Sequence, residues 1–191
     1  TYDSLKLEAA KFLIRNMPHC YSYQQGGEMD SVKRVRTYYS PFGQIDQTYA
    51  RRWGHYTYRN LPKIYDAHII TAEYLIDNID RAFDNWQKRP WNRSLSFEDF
   101  CEYLLPYRIG DEPLEEWREL YEKKYGYLLD SIYKGGDVVE AANLVSRHLQ
   151  EPVFIYCEDF ELPHIGPRYL FSHRYGSCVD AADIVTYAFR A

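Results

Sequence analysis

Near the end of the chain, Gly176, Ser177 and Cys178 precede Val179, Ala181, Ala182, Val185, Ala188 and Phe189, a small, apolar set spaced by threes and fours. That spacing predicts a helix opening near Ser177 with a cysteine in its first turn. Unpaired amides and the helix dipole favour negative charge there, so the position suits a nucleophilic thiolate. Gly176 would let a substrate or backbone approach, and the Cys178 amide would be placed to donate to a developing oxyanion. The plainer alternative is that Cys178 packs as a small hydrophobe.

Other groups offer less. His164 and His173 precede Cys178 closely enough to be considered as its base. Cys157, His164, His173 and Cys178 are metal-ligand types, but their spacing is unlike that of paired zinc ligands, and neither a metal nor a cofactor is expected. Glu98, Asp99 and Glu102, like Glu115, Glu116 and Glu119, read as acids complementing helix N-termini rather than as catalytic pairs. Arg51 to Asn60, "RRWGHYTYRN", mixes basic and aromatic residues and reads as a loop packing its rings on the domain, with an anionic or glycan ligand as the alternative. Cys101, among Phe97, Phe100 and Leu104, reads as core.

The elements that must position these groups are mostly helical. "DSLKLEAAKFLIRNM" sets Leu5, Ala9, Phe12, Leu13 and Met17 on one stripe, with Asp3 or Ser4 as cap and Pro18 as stop. The stretch from Pro18 to Pro62 is irregular, with a short strand in "SVKRVRTYY" and a turn in "SPFGQ". A long helix is predicted from Pro62 to just before Pro90, with Ile64, His68, Leu75, Ile79, Phe83 and Trp86 on its stripe. Ser96 and Asp99 form a capping box for a helix reaching about Tyr107. Gly110 is expected as a left-handed helix end, with Asp111 and Pro113 opening the next helix. Gly135 and Gly136 separate that helix from "DVVEAANLVSRHL". Beyond Pro152, "PVFIYCEDF" and "RYLF" read as short strands around the loop "ELPHIGP". The expectation is a mainly α protein with minor strands: a helical domain over 1–150, then a linker and nucleophile-bearing helix over 151–191.

Composition bounds the partners. The chain has 191 residues, 46% hydrophobic and 27% charged, with a formal net charge of -5. It can fill a core and offers no dense basic surface, so nucleic acid is not an expected partner. No apolar run approaches the ~20 residues of a membrane-spanning helix. Thr1 is not an initiator, so a leader or anchor ahead of it and an extracytoplasmic setting are expected. The 4 cysteines are too scattered for a disulfide scaffold. The 20 tyrosines suggest either half-buried core or a stacking surface for a peptide or glycan.

The stretch "GSCVDAADIVTYAFRA" resembles the nucleophile segment of the transglutaminase-like superfamily, in which Gly-x-Cys opens an alanine-rich helix ending in Arg-Ala. "YLIDNIDRAFDNW" and "SFEDFCEYLLPYRIGDEPLEEWRELYEKKYG" resemble the helical region ahead of that core in a group of bacterial proteins. The resemblance implies that Cys178 is the catalytic cysteine, supported by Gly176 and Ser177, and that the intact protein performs thiol acyl chemistry on a polypeptide or other amide. It places the partner His and Asp on strands after this helix, and none follows Ala191, so residues 1–191 alone are expected to be inactive. The apolar helix face is then expected to be covered by packing back on the helical domain, by swapping or in a homodimer. The competing expectation is a non-enzymatic module that binds a peptide or glycan through a tyrosine-rich surface.

Overall fold

The computed structural model describes residues 2–24, 61–151, 153–156 and 163–191. The strand and turn expected within "SVKRVRTYY" and "SPFGQ", the segment Arg51 to Asn60 and Cys157 lie outside them. The architecture is mainly helical. Helix α1, Tyr2–Asn16, buries Ala9 and Leu13 on the expected stripe and ends as Met17–His19 tightens into a 3₁₀ turn around Pro18. Asp3 lies in the first turn, where a carboxylate complements the dipole, rather than at the cap.

Strand β1, Tyr21–Tyr23, pairs antiparallel with β2, Lys63–Tyr65, with Ser22 opposite Ile64. The single long helix expected from Pro62 is therefore three pieces: β2, the short helix α2 (Asp66–Ile69), and α3 (Ala72–Lys88). Sheet pairing claims the start of the stretch, and an extended break at Ile70 and Thr71 lets the Thr71 hydroxyl cap α3 by accepting from the Tyr74 amide. Helix α3 packs Ile79, Ala82 and Phe83 against Ala9 and Leu13 of α1.

The Ser96–Asp99 capping box opens α4, Phe97–Asp99, which widens into a π-helical turn over Phe100–Leu104 and stops short of Tyr107. Phe100 fills the space beneath α3, with its ring 4.5 Å from Trp86 and 4.7 Å from Phe83. Cys101 is buried there as expected.

The next helix, α5 (Arg118–Tyr121), begins later than Asp111 and Pro113 suggest and continues through π turns at Glu122–Gly126 and Leu128–Ile132. The acids before it serve other backbones. Asp111 accepts from the His164 amide, Glu112 from the amides of Ile109 and Gly110, and Glu115 from the Arg168 amide. Gly110 has no left-handed backbone; its missing Cβ admits the His164 imidazole, three of whose atoms would lie within 2.6–2.7 Å of one.

Helix α6, Val138–Leu149, starts on Asp137, whose carboxylate accepts from the amides of Val139 and Glu140. The two-residue strand β3, Ile155–Tyr156, pairs in parallel with β4, Tyr175–Gly176. "RYLF" is helical, not extended: Gly166 and Pro167 open α7 (Pro167–His173), because proline at the first helical position sacrifices only an amide that would be unpaired anyway. Arg174 closes α7 in the left-handed conformation, φ 50°, and turns the chain into β4 and the final helix α8, Cys178–Arg190.

Two cores result. One joins α1, α3 and α4; the other joins Trp117, Tyr121, Tyr125, Val145, Leu149 and Leu170 to Ile184, Tyr187 and Ala188 of α8. Arg118 ties them together from a buried position, donating to the carbonyls of Leu104 and Arg190. Among the described residues no helix is long and apolar enough to cross a membrane.

Candidate functional site

Ser177 is the cap of α8, and Asp180 completes a capping box that the spacing Ser-x-x-Asp encodes. Asp180 Oδ2 accepts from the Ser177 amide at 2.7 Å and from its hydroxyl at 2.8 Å, while Oδ1 accepts from the Ile165 amide at 3.1 Å. Asp180 is 2% exposed, so this first turn is held by a buried carboxylate rather than by solvent. Gly176 is necessary to that arrangement. A Cβ there would lie 2.5 Å from Asp180 Oδ2 and 2.6 Å from the Asp180 Cβ.

Cys178 follows directly and is exposed, a free thiol on the outward face of α8. Ala182, Val185 and Phe189 continue that face at spacings of three and four, and Val185 and Phe189 are 41% and 42% exposed. The opposite face, with Asp180, Asp183, Ile184 and Tyr187, is buried. The thiol is thus presented at the head of an apolar, accessible stripe, on a helix whose other side is anchored in the core.

Neither upstream histidine is paired with it. His164 directs Nδ1 to Asp183 Oδ2 at 2.7 Å, on the face of α8 turned away from Cys178. His173 stacks its ring on Tyr169, with centroids 4.0 Å apart, and its Nδ1 faces the Tyr169 carbonyl. Among the described residues no three metal-binding side chains converge. Of the acids considered, Asp99 completes the Ser96 capping box of α4 by accepting from the Ser96 amide, Glu115 accepts from the Arg168 amide, and Glu119 pairs with Lys123.

The His164–Asp183 pair belongs to a buried acidic network that sequence patterning did not single out. Tyr187 donates to Glu112 Oε1 at 2.9 Å beside it. The one local signal was the pair Asp180 and Asp183 among the small, apolar residues of α8. The hydrogen bond to Asp183 pushes the His164 pKa up to about 9, while burial raises that of Asp183. A histidine with a folded pKa above its ordinary 6.5 stabilises the fold fully below pH 6.5 and loses that contribution as pH rises through about 9. Denaturant midpoints should therefore fall between those pH values, by less than the roughly 3 kcal/mol that the full shift is worth, because the imidazole is partly exposed to solvent. His164→Gln should flatten the fall; an unchanged pH profile in that variant would show that the pair does not cause it.

The fold and site together describe a mainly helical protein that presents, among the described residues, an exposed thiol at a buttressed helix start. Compared with known proteins, the chain matches no family model, no curated protein and no solved structure.

Proposed function

We propose that Cys178 is the nucleophile of a transglutaminase-like thiol enzyme and that residues 1–191 form its helical region and the opening of its core. The observation that carries this reading is the placement of an exposed thiol at the first residue of a 13-residue helix whose cap is locked by Ser177 and Asp180. In the reaction, Cys178 Sγ attacks an amide carbonyl and the amine leaves with a proton. Water or a second amine then releases the acyl group from sulfur. The Cys178 amide, at the unpaired end of α8, is available to the oxyanion. The resemblance assigns the proton-shuttling His and its orienting carboxylate to strands after α8. The outward stripe of Ala182, Val185 and Phe189 is where those strands, or a second copy of the chain, would pack.

Of Cys20, Cys101 and Cys178, the exposed Cys178 should react first with an alkylating agent. Burial pushes Cys101 up to about 11 and raises Cys20, so both should lag behind Cys178 in site-resolved mass spectrometry at neutral pH. Cys101, 4% exposed, should be slower by roughly a hundredfold or more. In the full natural chain, Cys178→Ala should abolish amide turnover without changing the circular dichroism spectrum. Unaltered turnover in that variant would overturn the assignment.

A tyrosine-rich binding surface has weaker support. Tyr23, Tyr107, Tyr121, Tyr125 and Tyr187 are core residues, while Tyr65, Tyr103 and Tyr127 are exposed.

A further inference from the structure

Between α1 and α4 with its π-helical turn lies an open groove of about 340 Å³. Its floor is apolar, made by the half-buried rings of Phe12 and Phe97 and by the buried Cys101. Tyr103, 62% exposed, stands on its rim. Among the described residues Glu8, Glu98, Asp99 and Glu102 line the groove against one cation, Arg15. Two of these carboxylates are already engaged: Glu8 by Lys11, and Asp99 by the Ser96 capping box. Glu98 and Glu102 are exposed, and neither forms an ion pair among the described residues. Arg190 feels the field of Glu102 but donates to the carbonyls of Tyr103 and Arg108 instead. The groove is separate from Cys178 and from the outward stripe of α8, since no residue of that helix lines it.

We infer that this groove takes a short, basic amphipathic helix of a partner protein, its apolar stripe on Phe12, Phe97 and Tyr103 and its Lys or Arg side chains over Glu98 and Glu102. Charge complementarity selects that partner, because the uncommitted charge on the α4 rim is negative and an acidic segment would be repelled. Size agrees. The run of α1 from Glu8 to Arg15 is about 10 Å long at ~1.5 Å per residue, so it faces two turns of a docked helix. Two turns present apolar anchors one turn apart, the usual way a helix fills a groove. A cavity of about 150 Å³ takes up one benzene, so the groove has room for two such anchors. Tyr103 supplies contact area on one side while its hydroxyl stays near water, the part that tyrosine commonly plays at interfaces.

Two synthetic peptides of about four helical turns would be titrated into the ¹⁵N-labelled protein and followed by NMR in ~0.1 M salt. Both carry leucine at helical spacing; one fills the remaining positions with lysine, the other with glutamate. The lysine peptide should shift the amides of Phe97, Cys101, Glu102 and Tyr103 saturably and bind at least about tenfold more tightly than the glutamate peptide. Tyr103→Ala should weaken it by about tenfold, and so should Glu98→Gln combined with Glu102→Gln. The same change of charge elsewhere, Glu116→Gln with Glu151→Gln, should leave its affinity within about twofold. All five substituted residues are exposed, so these variants should fold as the parent does. No saturable shift over Phe97 to Tyr103 would overturn the inference. Equal affinity of the two peptides would overturn it as well, and so would equal weakening by the two glutamine pairs, which would reduce the attraction to net charge.

Discussion

Arg118→Ala should cost this protein about 4 kcal/mol of folding stability, read from urea denaturation. The guanidinium is 4% exposed and donates to five oxygens: Asn78 Oδ1 at 2.6 Å and the carbonyls of Leu104 at 2.6 Å, Arg190 at 2.7 Å, Leu105 at 3.1 Å and Pro106 at 3.2 Å. None is a carboxylate, and burial pushes its pKa down to about 9. Removal of solvent opposes the charge, and the converging oxygens offset that cost because helix-end carbonyls carry partial negative charge. Truncation would leave a cavity and strip several buried carbonyls of their donor at once. Arg118→Met, which keeps much of the volume, should recover about 1–2 kcal/mol of the loss. A loss below about 1 kcal/mol for the alanine variant would mean that Arg118 does not hold the two cores together.

Asp66→Ala should be nearly as damaging, at about 3–5 kcal/mol, because it strands a buried cation. Asp66 is fully buried and receives two bonds from Arg108, from Nε at 2.7 Å and from NH2 at 2.5 Å. Arg108 also donates to the Glu112 carbonyl. Burial lowers the Arg108 pKa, but the bond to Asp66 and the nearby acids outweigh it and hold the guanidinium above its ordinary value. The charge would persist without its carboxylate. Replacing both partners, Asp66→Ala with Arg108→Met, should be less destabilising than Asp66→Ala alone, since no unpaired charge remains. Strict additivity of the two single effects in such a cycle would rule out the pair as a coupled unit.

These two arginines bear on the proposed thiol chemistry only indirectly. Arg118 holds the C-terminal end of α8 through the Arg190 carbonyl, and Asp180 holds its first turn through Ile165. Cys178 is thereby presented from a helix fixed at both ends. Such a nucleophile needs little reorganisation to meet a carbonyl, which is the usual advantage of placing a reactive group on a rigid element.

The elements legible in the amino-acid sequence were those whose signals are local. The stripe of α1, the Ser96–Asp99 box and the start of α8 each depend on side chains within a few residues, so spacing alone located them. Cys178 at a helix start was legible for the same reason, as was Cys101 in the core. Where spacing misled, a distant partner had claimed the side chain or the backbone. Asp111 looks like a helix cap but accepts from His164, and Gly110 looks like a left-handed end but makes room for that imidazole. "RYLF" has strand-like composition, yet Gly166 and Pro167 open a helix there that packs Leu170 into the core.

By itself, then, the sequence determined the helical class, the Ser96–Asp99 capping box and the residue that stands first in α8, because each follows from periodicity or from hydrogen bonds between near neighbours. Only the tertiary structure decided which face of α8 is outward, that His164 serves Asp183 rather than Cys178, and that Arg118 joins two cores. Those outcomes depend on contacts between residues far apart in the chain, where burial makes an unpaired polar group costly and so selects the partner.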